Sequence, residues 1–231
     1  MRGGGRPGKR EAILFDLDGT LIDSAPDLAT ALNRTMQKLG RPVYDEATVR
    51  HWVGNGATAL VSRALSGGRE IAPDLDEALL KRALEIFMAL YQERLCERTA
   101  LYPGVRETLE RLSSQGLRMA VVTNKPGPFV APILRKLGIE RFFEFALGGE
   151  DLPRKKPHPM PLLHACEKLG VPVERALMVG DSSNDILAAK AAGMRSVGVG
   201  WGYNYGEEIA DYGPDAVIER FDELLGLLEG R

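Results

Sequence analysis

Short apolar runs alternate with amphipathic stretches along most of the chain. Residues 12–16, AILFD, are apolar without a helical period and predict a buried strand. From 26 to 39 the period changes: Leu28, Leu32, Met36 and Leu39 recur at helical spacing, Pro26 suits a first turn and Gly40 a C′ position. HWVGNGATALVSRAL (51–65) reads as a Gly-Asn-Gly turn feeding a second helix. A long amphipathic helix over about 75–95 sets Leu75, Leu79, Ala83, Phe87 and Leu90 on one face. No strand pattern falls between 26 and 96.

Beyond LYPGV (101–105) the rhythm becomes strictly alternating. Helices are predicted over 105–115, 128–137, 160–169 and 184–192, and strands over 117–123, 143–149, 176–180 and 195–200. A weaker strand near 216–218 and a helix over 221–228 complete the pattern. Such alternation predicts an α/β fold: a doubly wound, mostly parallel, Rossmann-like sheet core with helices on both faces. A small all-helical cap is inserted after the first strand. The core comprises 11–24 and 97–231, the cap 25–96, and residues 1–10 read as a flexible N-terminal tail. Right-handed crossovers bring every strand's C-terminal end to one edge, where such sheets bind ligands. An insert at this point hangs over that edge, placed to act as a lid.

Composition changes this picture little. The 231 residues carry 44% apolar and 27% charged side chains, enough for a sizeable core, and a net charge of −2. That charge gives no basic field for nucleic acid, and no run of apolar residues is long enough for a membrane helix. Two cysteines, Cys96 and Cys166, fit a reducing compartment, and the Gly-rich, basic start lacks the apolar core of a secretory signal. A cytoplasmic monomer or homodimer is expected. GGGRPGKR (3–10) has phosphate-loop spacing but neither the following Ser/Thr nor a preceding strand, and Asn33-Arg34-Thr35 is a sequon inside a helical pattern.

Polar residues collect at the predicted strand ends. The first strand gives Asp16, Asp18 and Thr20; the strand over 117–123 gives Thr123, Asn124 and Lys125. Lys155 and Lys156 follow the strand over 143–149, and GDSSND supplies Asp181 and Asp185 after the strand over 176–180. Each cluster alone also reads as a turn or a helix cap. Together they crowd three or four carboxylates onto one edge, which is unfavourable unless a cation offsets the repulsion. Oxygen-only ligands point to Mg2+.

The strings DLDGTLID, VVTNK, KKPHP and GDSSND resemble, in order and spacing, the four motifs of the haloacid dehalogenase superfamily. VTNKPGPFVAP, KKPHPMPLLHACE, GDSSNDILAAKAAG and GYNYGE are further similar to its bacterial branch acting on 2-phosphoglycolate, so the likeness covers nearly all but the first ten residues. The resemblance implies magnesium-dependent hydrolysis of a small phosphate monoester through an aspartyl-phosphate intermediate. It makes Asp16 the nucleophile and Asp18 the general acid and base. It assigns the metal to Asp16, the Asp18 backbone carbonyl and Asp181, with Asp185 in support. Thr123 and the Asn124 amide would hold a phosphoryl oxygen, and Lys156, directly before the proline, would neutralise charge on the transferring group; Lys155 is its neighbour and alternative.

The substrate is less constrained. A two-carbon anion needs donors for its carboxylate, and Gly54-Asn55-Gly56, which opens a helix, is the candidate loop. Arg50, His51 and Arg63 stand nearby. Phosphatases of N-acetylmuramate 6-phosphate or another sugar phosphate, and sugar phosphomutases, keep both aspartates and stay open. A non-enzymatic phospho-receiver domain would be shorter, lack the insert and have no need of Asp18.

Overall fold

β1 (Ala12–Phe15) is buried at all four positions and lies at the centre of a six-stranded sheet. In this computed structural model, which describes residues 10–228, it pairs in parallel with β4 (Arg118–Val122) on one side and β6 (Ala176–Gly180) on the other. β5 (Ala146–Leu147) lies outside β4, while β7 (Arg195–Val199) and β8 (Ala216–Ile218) extend the other side, giving the order β5-β4-β1-β6-β7-β8. All these pairings are parallel, so the predicted doubly wound α/β core is what forms.

A strand flanked on both sides and both faces has no solvent side, which is why its sequence is unbroken apolar rather than alternating. Ile13 and Phe15 face one cluster, with residues of α5 (Val105–Ser114), α6 (Gly127–Lys136) and α9 (Glu223–Leu228). Ala12 and Leu14 face the other, with α7 (Met160–Leu169) and α8 (Ser183–Ala192). The chain leaves β1 toward β4 and later returns past it to β6. That reversal of winding direction opens a crevice at the C-terminal ends of β1 and β6.

The helical segment leaves and re-enters through a two-stranded antiparallel neck, β2 (Ile22–Asp23) with β3 (Ala100–Leu101). Between them run α1 (Ala25–Lys38), α2 (Glu46–Arg50), α3 (Ala57–Ser66) and α4 (Glu77–Glu93). Helix α1 packs on the other three, and α3 packs on α4.

Local chemistry explains the departures from the sequence reading. The helix expected over 75–95 starts only at Glu77, because Asp76 caps it by accepting from the Ala78 and Leu79 amides; Leu75 therefore precedes the helix. Its buried face is Ala83, Phe87, Leu90 and Tyr91. The strand expected over 143–149 shrinks to two residues. Among the described residues it is an edge strand paired to β4 alone, and the Gly149 amide leaves the ladder for the Lys125 carbonyl. The neck strands are too short for any period to show, and α2 is a five-residue helix capped by Asp45. Of the expected tail, residues 1–9 lie outside the described part, while Arg10 is tied to the sheet by a 3.3 Å bond to the Ala176 carbonyl.

Candidate active site

Asp16 continues the sheet for one residue past β1, its amide donating to the Val179 carbonyl. The chain then turns tightly on the Leu17 carbonyl, which accepts from the amides of Thr20, Leu21 and Ile22. Gly19 has φ +85, and a Cβ there would stand 2.2 Å from Asp181 Oδ2, so both conformation and space demand glycine. Gly202 also closes in, where a Cβ would meet that of Asp181 at 2.0 Å. Asp181 is thereby held between two bare backbones. Its Oδ1 accepts from Thr20 Oγ1 at 2.9 Å and its Oδ2 from the Tyr203 amide at 2.8 Å.

Asp185 sits in the first turn of α8, its Oδ2 accepting from the amide and hydroxyl of Ser182 in a capping box. Its Oδ1 takes a 2.6 Å bond from Lys156 Nζ. That lysine also donates to the Val122 carbonyl at 2.6 Å and lies 3.0 Å from Asp16 Oδ1, with only 2% of its side chain exposed. Burial alone would depress the Lys156 ammonium, but Asp16 and Asp185 outweigh it and hold it raised. Lys155, one residue earlier, turns outward to the Asn55 carbonyl at 2.7 Å.

Asp16, Asp181 and Asp185 each offer an oxygen within 4.8 Å of the other two. Burial pushes the Asp16 carboxyl up to about 6, with Lys156 pulling it down and Asp185 adding to the rise. Asp181 is raised well above the usual carboxylate range, first by burial and then by Asp16 and Asp185. Asp16 Oδ1 is buried and, despite the ion-pair contact, receives no aligned hydrogen bond among the described residues. A hard divalent cation would resolve both the repulsion and the unfilled oxygen, so the donor set fits Mg2+.

Asp18 points into a cavity whose wall includes Asp16, Thr123 and Asn124 from the core, with Gly54 and Gly56 from the loop before α3. It accepts from Ser24 Oγ and from Lys125 Nζ, at 3.0 and 3.1 Å to its two oxygens. Thr123 gives its amide to Leu147, and its hydroxyl accepts from the Lys125 amide. Asn124 Nδ2 ties the Gly54 carbonyl, at 3.1 Å, to that of Lys156, at 3.0 Å.

The loop before α3 is docked on the core through its carbonyls. Gly54 accepts from Asn184 Nδ2 as well as Asn124, and a Cβ on Gly54 would approach the Tyr205 hydroxyl to 2.6 Å. Asn55 stands outside the cavity wall, its amide oxygen taken by Arg63 Nη2 at 2.9 Å. Arg50 instead grips Asp23 at the neck, at 2.9 and 3.0 Å. Sequence reasoning gave no role to Lys125, Ser24 or Tyr91. Lys125 was visible in VVTNK, but Tyr91 carried only the signal of an apolar helix face.

A parallel sheet with this turn after its central strand, two aspartates on it and a buried lysine–carboxylate cluster behind them defines a hydrolase class. The sequence profile of the haloacid dehalogenase-like hydrolases matches residues 13–199, and the chain belongs to that family. It is 54% identical over 217 residues to a phosphoglycolate phosphatase of Colwellia psychrerythraea, covering 94% of this chain and 96% of that protein. A phosphoglycolate phosphatase of Nitrosococcus oceani is 48% identical over 218 residues, covering 94% and 96%. Among solved structures, a predicted phosphoglycolate phosphatase from Haemophilus somnus superposes with a TM-score of 0.89 at 43% identity, covering 94% of this chain and 97% of that one. CbbY from Rhodobacter sphaeroides, solved in complex with phosphate, gives 0.76 at 33% identity, covering 95% and 99%.

Proposed function

We propose that this hydrolase converts 2-phosphoglycolate to glycolate and inorganic phosphate, using Mg2+ and a covalent intermediate on Asp16. One observation carries the reading: Asp16 and Asp18 stand two residues apart on one turn and line the same cavity as Thr123. A cleavage in two displacements needs one carboxylate to attack and a second to move protons.

Asp16 attacks phosphorus while Asp18 delivers a proton to the departing alkoxide. Asp18 then takes a proton from the water that attacks the acyl phosphate, freeing Asp16 and releasing phosphate. Thr123 and the Asn124 backbone amide hold a phosphoryl oxygen, and Lys156 balances the charge that builds on the transferring group. Asp16, the Asp18 carbonyl and Asp181 would hold Mg2+, with Asp185 in support through Lys156. The cation lets a carboxylate approach an anionic phosphate and stabilises charge at the reacting centre.

Residues 25–96 act as a cap on the core formed by 11–24 and 97–231. Support comes from the cavity wall, where Leu60, Phe87 and Tyr91 of the helical segment face Asp18 and Thr123 of the core. Gly54 and Gly56 of the Gly54-Asn55-Gly56 loop line the same cavity, and the names of the relatives favour the two-carbon substrate over sugar phosphates.

The substrate assignment is tested by kcat/KM for phosphate release with Mg2+ from 2-phosphoglycolate, N-acetylmuramate 6-phosphate and glucose phosphates. Phosphoglycolate is expected to lead by about a hundredfold, roughly 2.7 kcal/mol of transition-state stabilisation. A lead by an amino-sugar phosphate would leave the chemistry intact and reassign the cap.

A further inference from the structure

Lys125 is a buried cation that the proposed chemistry does not use. It follows Thr123 by two residues at the end of β4, and only 2% of its side chain is exposed. Its ammonium touches both Asp18 oxygens and donates to the Tyr91 hydroxyl at 2.8 Å. The charges that a phosphoryl group meets lie elsewhere, behind Asp16, where Lys156 joins Asp185. Lys125 stands on the Asp18 side of the cavity.

The wall there is otherwise apolar, with Leu28, Val53, Leu60, Phe87 and Phe129. Among the described residues lining the cavity, Lys125 is the one cationic side chain. A second anionic group on a ligand would be stranded against such a wall without a charged partner, at a cost no small ester could offset. An ammonium has three N–H donors, and that of Lys125 meets three acceptors, the two Asp18 oxygens and the Tyr91 hydroxyl. The Tyr91 hydroxyl accepts from Lys125, and among the described residues its own proton has no acceptor. The Tyr91 O–H is therefore left for a ligand in the cavity, beside the Lys125 charge. Tyr91 is fixed there by Phe87, stacked at 5.8 Å, and by the edge-on ring of Phe129 at 4.9 Å.

We propose that Lys125 and Tyr91 form the recognition site for a second anionic group on the substrate. The site selects phosphate monoesters bearing a carboxylate one carbon from the ester oxygen, over esters of the same size that lack it. This rests on the assignment of the cavity as a phosphomonoesterase site, and it adds the residues that set its preference. Recognition is shared between core and helical segment, since Lys125 follows β4 and Tyr91 belongs to α4.

The test compares 2-phosphoglycolate with ethyl phosphate, which replaces the carboxylate by a methyl group. The ratio of their kcat/KM values is measured in the wild type, Lys125→Met and Tyr91→Phe. The ratio is expected to fall about a hundredfold in Lys125→Met, chiefly through KM for phosphoglycolate, and several-fold in Tyr91→Phe. Tyr91→Phe keeps the ring and its packing, so it reports even if Lys125→Met folds poorly. Equal losses on both esters would overturn the proposal and make Lys125 a positioning residue for Asp18. Inhibition of p-nitrophenyl phosphate hydrolysis by 2-phosphoglycolate separates this from the assigned reaction. Tight inhibition of the wild type, weakened in Lys125→Met, supports the recognition site even without turnover of phosphoglycolate. An inhibition constant equal in both overturns it.

Discussion

Replacing Asp16 by Asn is expected to lower phosphate release from 2-phosphoglycolate by at least about 10⁴-fold while the protein stays folded. The amide is no nucleophile, and no neighbour can stand in. Asp18 is engaged by Ser24 and Lys125, and Asp181 is walled in by Gly19 and Gly202 and bonded through both oxygens. Stability should move the other way. Burial above all, with Asp185 adding to it, raises the Asp16 carboxyl against the pull of Lys156, and Asn removes that buried charge at nearly constant volume. The metal-free variant should therefore melt at or above the metal-free wild type near neutral pH, as differential scanning fluorimetry would show. Turnover within tenfold of the wild type would remove Asp16 from the chemistry.

Chelation should abolish turnover, by about 10³-fold or more, and added Mg2+ should restore it. The same cluster makes stability depend on pH in a definite direction. In the metal-free fold Asp16 titrates near 6 and Asp181 well above an unfolded aspartate, so the native state binds more protons across that interval. The Asp16 contribution is then fully present below the unfolded value and is lost as pH rises through about 6, and that of Asp181 is lost in the same direction. Mg2+ requires the ionised form and releases the protons. Its stabilising increment should accordingly be larger at pH about 7.5 than at about 5, since at the lower pH the cation must displace bound protons. Equal melting shifts at the two pH values would show that these carboxylates are not the metal's ligands.

Much of this architecture was legible in the chain because its signals are local. The apolar run before Asp16 announces a central buried strand, and the helices ending at Gly170 and Gly193 carry their stop signals in place. Asp76 shows the limit: a polar residue inside an apolar period becomes the cap and shortens α4. The two-residue strands of the neck have too few positions to show any period. At the site, strand-end clustering located the carboxylates, and the structure brings Asp16, Asp181 and Asp185 together around Lys156. The contact between Lys125 and Asp18 joins residues 107 apart, and Tyr91 reaches that pair from a helix whose sequence shows only an apolar stripe. Nor does the string Gly54-Asn55-Gly56 reveal that its carbonyls bond to the core, since donors such as Asn124 and Asn184 lie far along the chain.

The covalent step is the centre of this account, and acid quenching during turnover tests it most directly. Enzyme mixed with Mg2+ and 2-phosphoglycolate is stopped within milliseconds, digested and searched by mass spectrometry for a phosphorylated peptide. The phosphoryl group is predicted on the peptide containing Asp16, absent from Asp16→Asn. Turnover with no labelled peptide at any quench time, or a label carried by a different residue, would contradict it.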